Sequence, residues 1–174
     1  MLRTRLGRTA TLAAALWLVQ GIITSFHGQP SDGWDALDRV GELFLAAALV
    51  ASVAVLLQVH ALEEHRYARY GAALAAAGCT DLALASLVSL VSGGQRLEAL
   101  FVLGIAGALI GLTAFAVGAA FGVDLSGGIA FLLLVTFFLG ILFTRHGGGI
   151  LIAVGFQAFG LAAARSVRSH MEGQ

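Results

Sequence analysis

Six apolar blocks follow one another along the chain, at residues 9–26, 41–59, 71–92, 99–122, 127–143 and 149–164, with polar or glycine-rich residues between them. At about 1.5 Å per residue, the first four come close to or exceed the length a helix needs to cross a hydrocarbon core of roughly 30 Å. The last two cannot be a single helix, because residues 127–164 would then run about 57 Å. Two short helices and a tight turn through Thr144–Gly149 are expected, with a re-entrant or broken pair as the alternative. The predicted fold is therefore all-α: a polytopic transmembrane helix bundle of about six helices, forming a single integral membrane domain over residues 1–174.

The third block has two kinds of face. At 100° per residue Gly71, Leu74, Gly78, Asp81, Ala85, Ser89 and Ser92 fall in a stripe about 80° wide, small or polar, while the rest is greasy. Such a stripe predicts a packing seam, and it contains an acid. Asp81 stands roughly 15 Å from either end of the block, near a bilayer midplane, where an ionisable group demands an explanation. No Lys or Arg occurs inside any of the six blocks. Gln20, near the middle of the first block, and Gln157, near the middle of the last, are expected at a similar depth, with Thr24 one turn beyond Gln20. Asp81, Gln20, Gln157 and Thr24 are thus the candidate midplane polar site. On the first helix Thr9, Ala13, Trp17, Gln20, Thr24 and His27 share a face that is expected to look into the protein.

In the fourth block Gly104, Gly107, Gly111, Gly118 and Gly122 project within about 60° of one another, and two Gly-x-x-x-Gly spacings repeat. A glycine stripe gives up lipid contact and gains only where another backbone comes near. Its expected partner is the small face of the preceding helix around Gly78, since a short loop makes the two antiparallel neighbours. The spacing resembles a nucleotide-binding fingerprint only superficially, because no strand-turn-helix context surrounds it.

The polar segments add little chemistry. Between His27 and Val40, Ser31 or Asp32 could cap a short surface helix with Trp34, Leu37 and Val40 on one side, and Asp32, Asp35 and Asp38 lack the alternating spacing of a calcium loop. The run from His60 to Tyr70 misses the zinc motifs, so it reads as helix ends leaving the membrane, with Arg66, Arg69, Tyr67 and Tyr70 at the headgroups. No metal or other cofactor is expected.

Composition supports the membrane class. Of 174 residues 59% are apolar and 11% charged, against roughly 25% charged in soluble domains, and the mean hydropathy is +0.91. All ten bases are Arg, they balance ten acids, and no basic aromatic patch occurs, so nucleic acid is excluded as an expected partner. The single Cys79 allows no internal disulfide. The basic start and apolar run of residues 1–26 resemble a signal peptide, but no small-x-small cleavage site follows, which favours a retained helix. Arg3, Arg5, Arg8, Arg66, Arg69, Arg165 and Arg168 would share one side and Arg39, Arg96 and Arg145 the other, so cytoplasmic termini are expected, in a prokaryotic plasma membrane. The resemblance of Arg39-Val-Gly-Glu-Leu-Phe-Leu to Arg96-Leu-Glu-Ala-Leu-Phe-Val, with Arg145 in a third such place, hints at three helical hairpins, though chance explains so few matches equally well.

For function, an enzyme is the least favoured class, because no Ser, His and Asp set shares a depth and Asp81 has no second carboxylate beside it. The favoured expectation is a non-enzymatic structural or accessory subunit that works in the lipid bilayer through helix packing, with itself or with a larger membrane complex. The alternative is a small permease, channel or proton-coupled carrier built on Asp81.

Overall fold

The computed structural model describes residues 2–27, 35–95, 97–121 and 127–172. They form six helices: α1 (Leu2–His27), α2 (Ala36–Leu62), α3 (Arg66–Ser92), α4 (Glu98–Phe121), α5 (Gly127–Leu142) and α6 (Gly148–Glu172), with one 3₁₀ turn at Thr144–His146. Helices α1 to α4 are long and apolar enough to cross a membrane, whereas α5 and the apolar part of α6, Gly148–Ala164, are shorter.

The helix ends follow from local chemistry. Asp35 caps α2 by accepting from the N–H groups of Leu37 and Asp38 at 2.7 and 2.9 Å, and the Asp38 carboxylate accepts from the Asp35 N–H at 3.1 Å. This reciprocal cap corrects the expectation of a separate surface helix: Leu37 and Val40 belong to the first turns of α2. Ser31, Asp32 and Trp34 lie outside the described residues, as does Gly122. At the other end of the α3 sequence, Gly93 takes φ +72°, a left-handed conformation that costs glycine little, and the Gly94 N–H closes on the Ser89 carbonyl at 2.8 Å. Gly147, at φ +82°, turns the chain from α5 into α6 in the same way.

Each helix packs on the next, and α1 also packs on α6, so the six close into a ring of antiparallel neighbours. The tightest seam joins α3 to α4. A Cβ added at Gly78 would lie 2.6 Å from the Gly104 carbonyl oxygen, one at Gly111 would lie 2.7 Å from Ala75 Cα, and one at Gly118 would lie 2.8 Å from Ala68 Cα. Only hydrogen fits at these points, so the backbones approach as the small-residue rule requires. The closest opposed pairs, Ala68–Gly118, Gly71–Phe115, Ala75–Gly111, Gly78–Ala108 and Leu82–Gly104, keep one constant antiparallel register along the seam.

A second close seam joins α1 to α6. A Cβ at Gly149 would lie 2.6 Å from the Trp17 carbonyl oxygen, one at Gly21 would lie 2.9 Å from the Gly149 carbonyl carbon, and one at Gly160 would lie 3.2 Å from the Gly7 carbonyl oxygen. Gly149 is therefore a packing residue of this seam and not merely part of the turn, while Gly148 lies against Gly140 of α5.

Large side chains point either to the centre of the ring or to its outside. At the centre, Trp17 of α1 meets Phe137 of α5 edge-on, with centroids 6.3 Å apart, and Phe115 of α4 meets Phe159 of α6 at 6.2 Å. On the outside Val91, Val102, Leu103, Ile110 and Phe121 stand exposed. An exterior this apolar around small-residue seams fits a multi-pass membrane protein.

Candidate functional site

Two locations carry the features from which a function can be argued: the outer flank of α3 at Asp81, and a cavity in the half of the ring remote from the chain termini.

Asp81 follows Gly78 by three residues and precedes Ala85 by four, so it stands beside the α3–α4 seam. The buried surface of α3 is wider than one stripe, because the helix serves two neighbours. Gly71, Ala75, Gly78, Leu82 and Ala85 serve α4, and the arc continues through Ala72, Ala76, Cys79 and Ala83 on the side of α2. This rotates the buried surface away from Leu74, Asp81 and Ser92. Leu74 and Ser92 are exposed, and Asp81 is half-buried on the outward flank. Among the described residues its carboxyl group has no hydrogen-bond or ion-pair partner.

The other three residues of the candidate polar site lie elsewhere. Gln20 is buried on α1 with its Oε1 against Gly149 of α6, and that oxygen has no hydrogen-bond partner among the described residues. Thr24 is half-buried and bonds back to the Gln20 and Gly21 carbonyls of its own helix, both at 3.1 Å. Gln157 is exposed on the outside of α6. Since α3 packs on α2 and α4 while α6 packs on α5 and α1, Asp81 and Gln157 lie on opposite sides of the ring. The structure does not bring the four together. Of the packing glycines, Gly78, Gly104, Gly107, Gly111 and Gly118 all lie in the α3–α4 contact.

The inward face of α1 is stitched to α2 by two polar bridges. Trp17 Nε1–H donates to Ser52 Oγ at 3.0 Å, and Gln58 Nε2–H donates to Thr9 Oγ1 at 3.0 Å. Above Trp17 and Phe137 the ring forms a partly open cavity of about 50 Å³ to which every helix contributes. Its walls are Leu45 and Leu49 of α2, Leu82 and Ser86 of α3, Phe101 and Ile105 of α4, Gly140 and Ile141 of α5, and Gly149 and Ile152 of α6, with Thr144 from the turn. Trp17 and Phe137 make its floor. The space suits a few water molecules or a small apolar group, since one water occupies about 10–15 Å³ on this measure.

None of these wall residues carries an ionisable side chain, so the cavity is not equipped for acid–base chemistry. Its polar groups are hydroxyls. Thr144 is satisfied by the Gly140 and Ile141 carbonyls, whereas Ser86 is buried and makes no hydrogen bond among the described residues. One turn beyond Ser86, the fully buried Ser89 hydroxyl also lacks a partner there. Sequence reading missed this cavity, because its walls come from six helices at one depth and share no local pattern.

At the end of the ring that carries the chain termini, α2 turns into α3 through Glu63, Glu64 and His65. The His60 Nδ1–H donates to the Arg69 carbonyl at 2.9 Å, which ties the two helix ends together and occupies one ring nitrogen. Among the described residues no three His, Cys, Asp or Glu side chains are grouped to hold a metal ion. Comparison of the chain with protein families, with characterised proteins and with solved structures gives no match.

Proposed function

We propose that the chain is a small multi-pass membrane protein that acts through its outer surface, as a non-enzymatic accessory subunit in a membrane assembly. The observation that carries this reading is the division of the side chains. The centre of the ring is filled by Trp17–Phe137 and Phe115–Phe159, while Asp81 is turned to the outer flank. A carrier that used Asp81 would need it on an aqueous path, and the aromatic pairs occupy the axis along which that path would run.

Thiol labelling tests this directly. In a Cys79→Ser background, Asp81→Cys should resist membrane-impermeant maleimide added to either side of sealed vesicles and react only with a permeant reagent. Rapid labelling by the impermeant reagent would place the residue on an aqueous pathway and reject the accessory reading.

The cavity favours a second reading, a small permease whose vestibule is this partly open space and whose gate is the Trp17–Phe137 contact. On that reading Trp17→Ala should raise the flux of small solutes into proteoliposomes several-fold. Unchanged flux would remove it.

A further inference from the structure

We infer that Asp81 marks a docking face for a membrane helix of a different protein, one that carries a Lys or Arg side chain at mid-depth. This deepens the proposed function and rests on its premise, that the chain lies in a bilayer and works through its outer surface. Asp81 lies about 22 Å from the start of α3 and about 16 Å from its end, so both routes to the interface are long for a side chain this short. A long Lys or Arg can reach an interface by its stem, but Asp cannot. Its carboxyl group must therefore find a partner at its own depth, and the described residues offer none.

The surface around it suits close approach. Ala77, one turn earlier, is small and exposed, and Gly107 of α4 lies against Gly78, with an added Cβ only 3.2 Å from Gly78 Cα. Flanking Leu74, Leu84 and Leu103 are large and exposed, so the acid and the small residues near it have apolar borders. An incoming helix can lay its backbone there and bring a donor to the carboxyl group.

A second copy of the chain is a poor occupant. Its apolar spans contain no Lys or Arg, and the exposed mid-span amide it could offer, Gln157, is on the opposite side of the ring. Pairing Asp81 with Gln157 of another copy would join opposed faces head to tail and extend as an open row without closing. Charge complementarity points instead to a base on another protein.

The test uses designed peptides in lipid vesicles. The full chain, labelled at its C terminus, is reconstituted with acceptor-labelled leucine–alanine peptides of about 23 residues, long enough to span. One has Lys at its centre and the other Leu. Vesicle flotation first checks that the protein is embedded. The expected result is energy transfer at least five-fold higher with the Lys peptide, lost with Asp81→Asn and Asp81→Ala and retained with Gln157→Leu. Circular dichroism confirms that the variants keep their helices, and the near-isosteric Asn variant guards against a folding artefact.

Three results overturn the inference. Equal transfer to the two peptides by an embedded protein would remove the base from the argument, and transfer that survives Asp81→Asn would remove Asp81. Asp81-dependent transfer between copies of the protein, stronger than to the Lys peptide, would make the occupant a second copy. Failure to float with vesicles overturns the bilayer premise itself, and so is separable from these three.

Discussion

The indole N–H of Trp17 donates to Ser52 Oγ at 3.0 Å, and the Ser52 O–H donates in turn to the Ala48 carbonyl at 2.8 Å. Both residues are buried, so the chain Trp17–Ser52–Ala48 fixes α1 against α2 at a point where no water replaces a lost bond. Ser52→Ala removes the acceptor and leaves the indole N–H unpaired. The expected loss is about 1–2 kcal/mol, whereas Thr113→Ala, at an exposed hydroxyl bonded only to the Leu109 carbonyl of its own helix, should stay within about 0.5 kcal/mol. Denaturant unfolding of the two variants in mixed micelles decides this.

The α3–α4 seam makes a graded prediction. A Cβ at Gly111 would lie 2.7 Å from Ala75 Cα, but one at Gly107 would lie 3.2 Å from Gly78 Cα, a gap that a few tenths of an ångström of movement relieves. Replacing Gly by Ala gains about 1 kcal/mol of helix propensity, while overpacking costs about 1–3 kcal/mol. Gly111→Ala should therefore destabilise and Gly107→Ala should be close to neutral. Leu at either position should weaken folding clearly. Equal melting temperatures for Gly107→Ala and Gly111→Ala would contradict the register described above.

Ser86 tests whether the cavity is empty. Its side chain lines a space of about 50 Å³ and makes no hydrogen bond among the described residues. Ser86→Val fills part of that space with methyl groups and deletes the hydroxyl, which should stabilise by about 1 kcal/mol. A loss of stability instead would mean that the cavity holds bound molecules that the hydroxyl retains.

At the start of α2, Asp35→Ala removes the acceptor for the Leu37 and Asp38 N–H groups. The expected cost is about 1 kcal/mol, confined to the helix end. Amide hydrogen exchange should accelerate over residues 37–39 and remain unchanged around Ser52. Faster exchange throughout α2 would show that the cap holds more than the first turn.

The helices and the α3–α4 seam were legible because each depends on a local period. Gly104, Gly107, Gly111 and Gly118 repeat at helical spacing, and glycine gains nothing from lipid. Closure of the ring was not legible. Gly149 follows a turn and reads as part of it, and no periodicity reveals that it packs against α1, far away in sequence. The contrast between Gln20 and Gln157 makes the same point: each is a lone amide inside an apolar helix, yet one is buried and the other exposed. Local sequence gives depth along a helix, whereas rotation about its axis depends on which neighbours arrive. Asp81 shows the limit most clearly, since the stripe that contained it was real but the buried surface proved rotated away from it by the second neighbour, α2.

The contact between α1 and α6 also sets a timetable for synthesis. The face of α1 that carries Gly7, Gly21 and Gln20 waits for α6, which begins about 120 residues after α1 ends. At about 5–20 residues per second, that interval lasts roughly 6–24 s. During it the buried amide of Gln20 faces lipid, translocation machinery or a transient helper, and α2 alone holds α1 through Trp17–Ser52 and Thr9–Gln58. Until α6 arrives these helices thus form an open arc with α1 at one edge, and the insertion of α6 closes that arc into the ring.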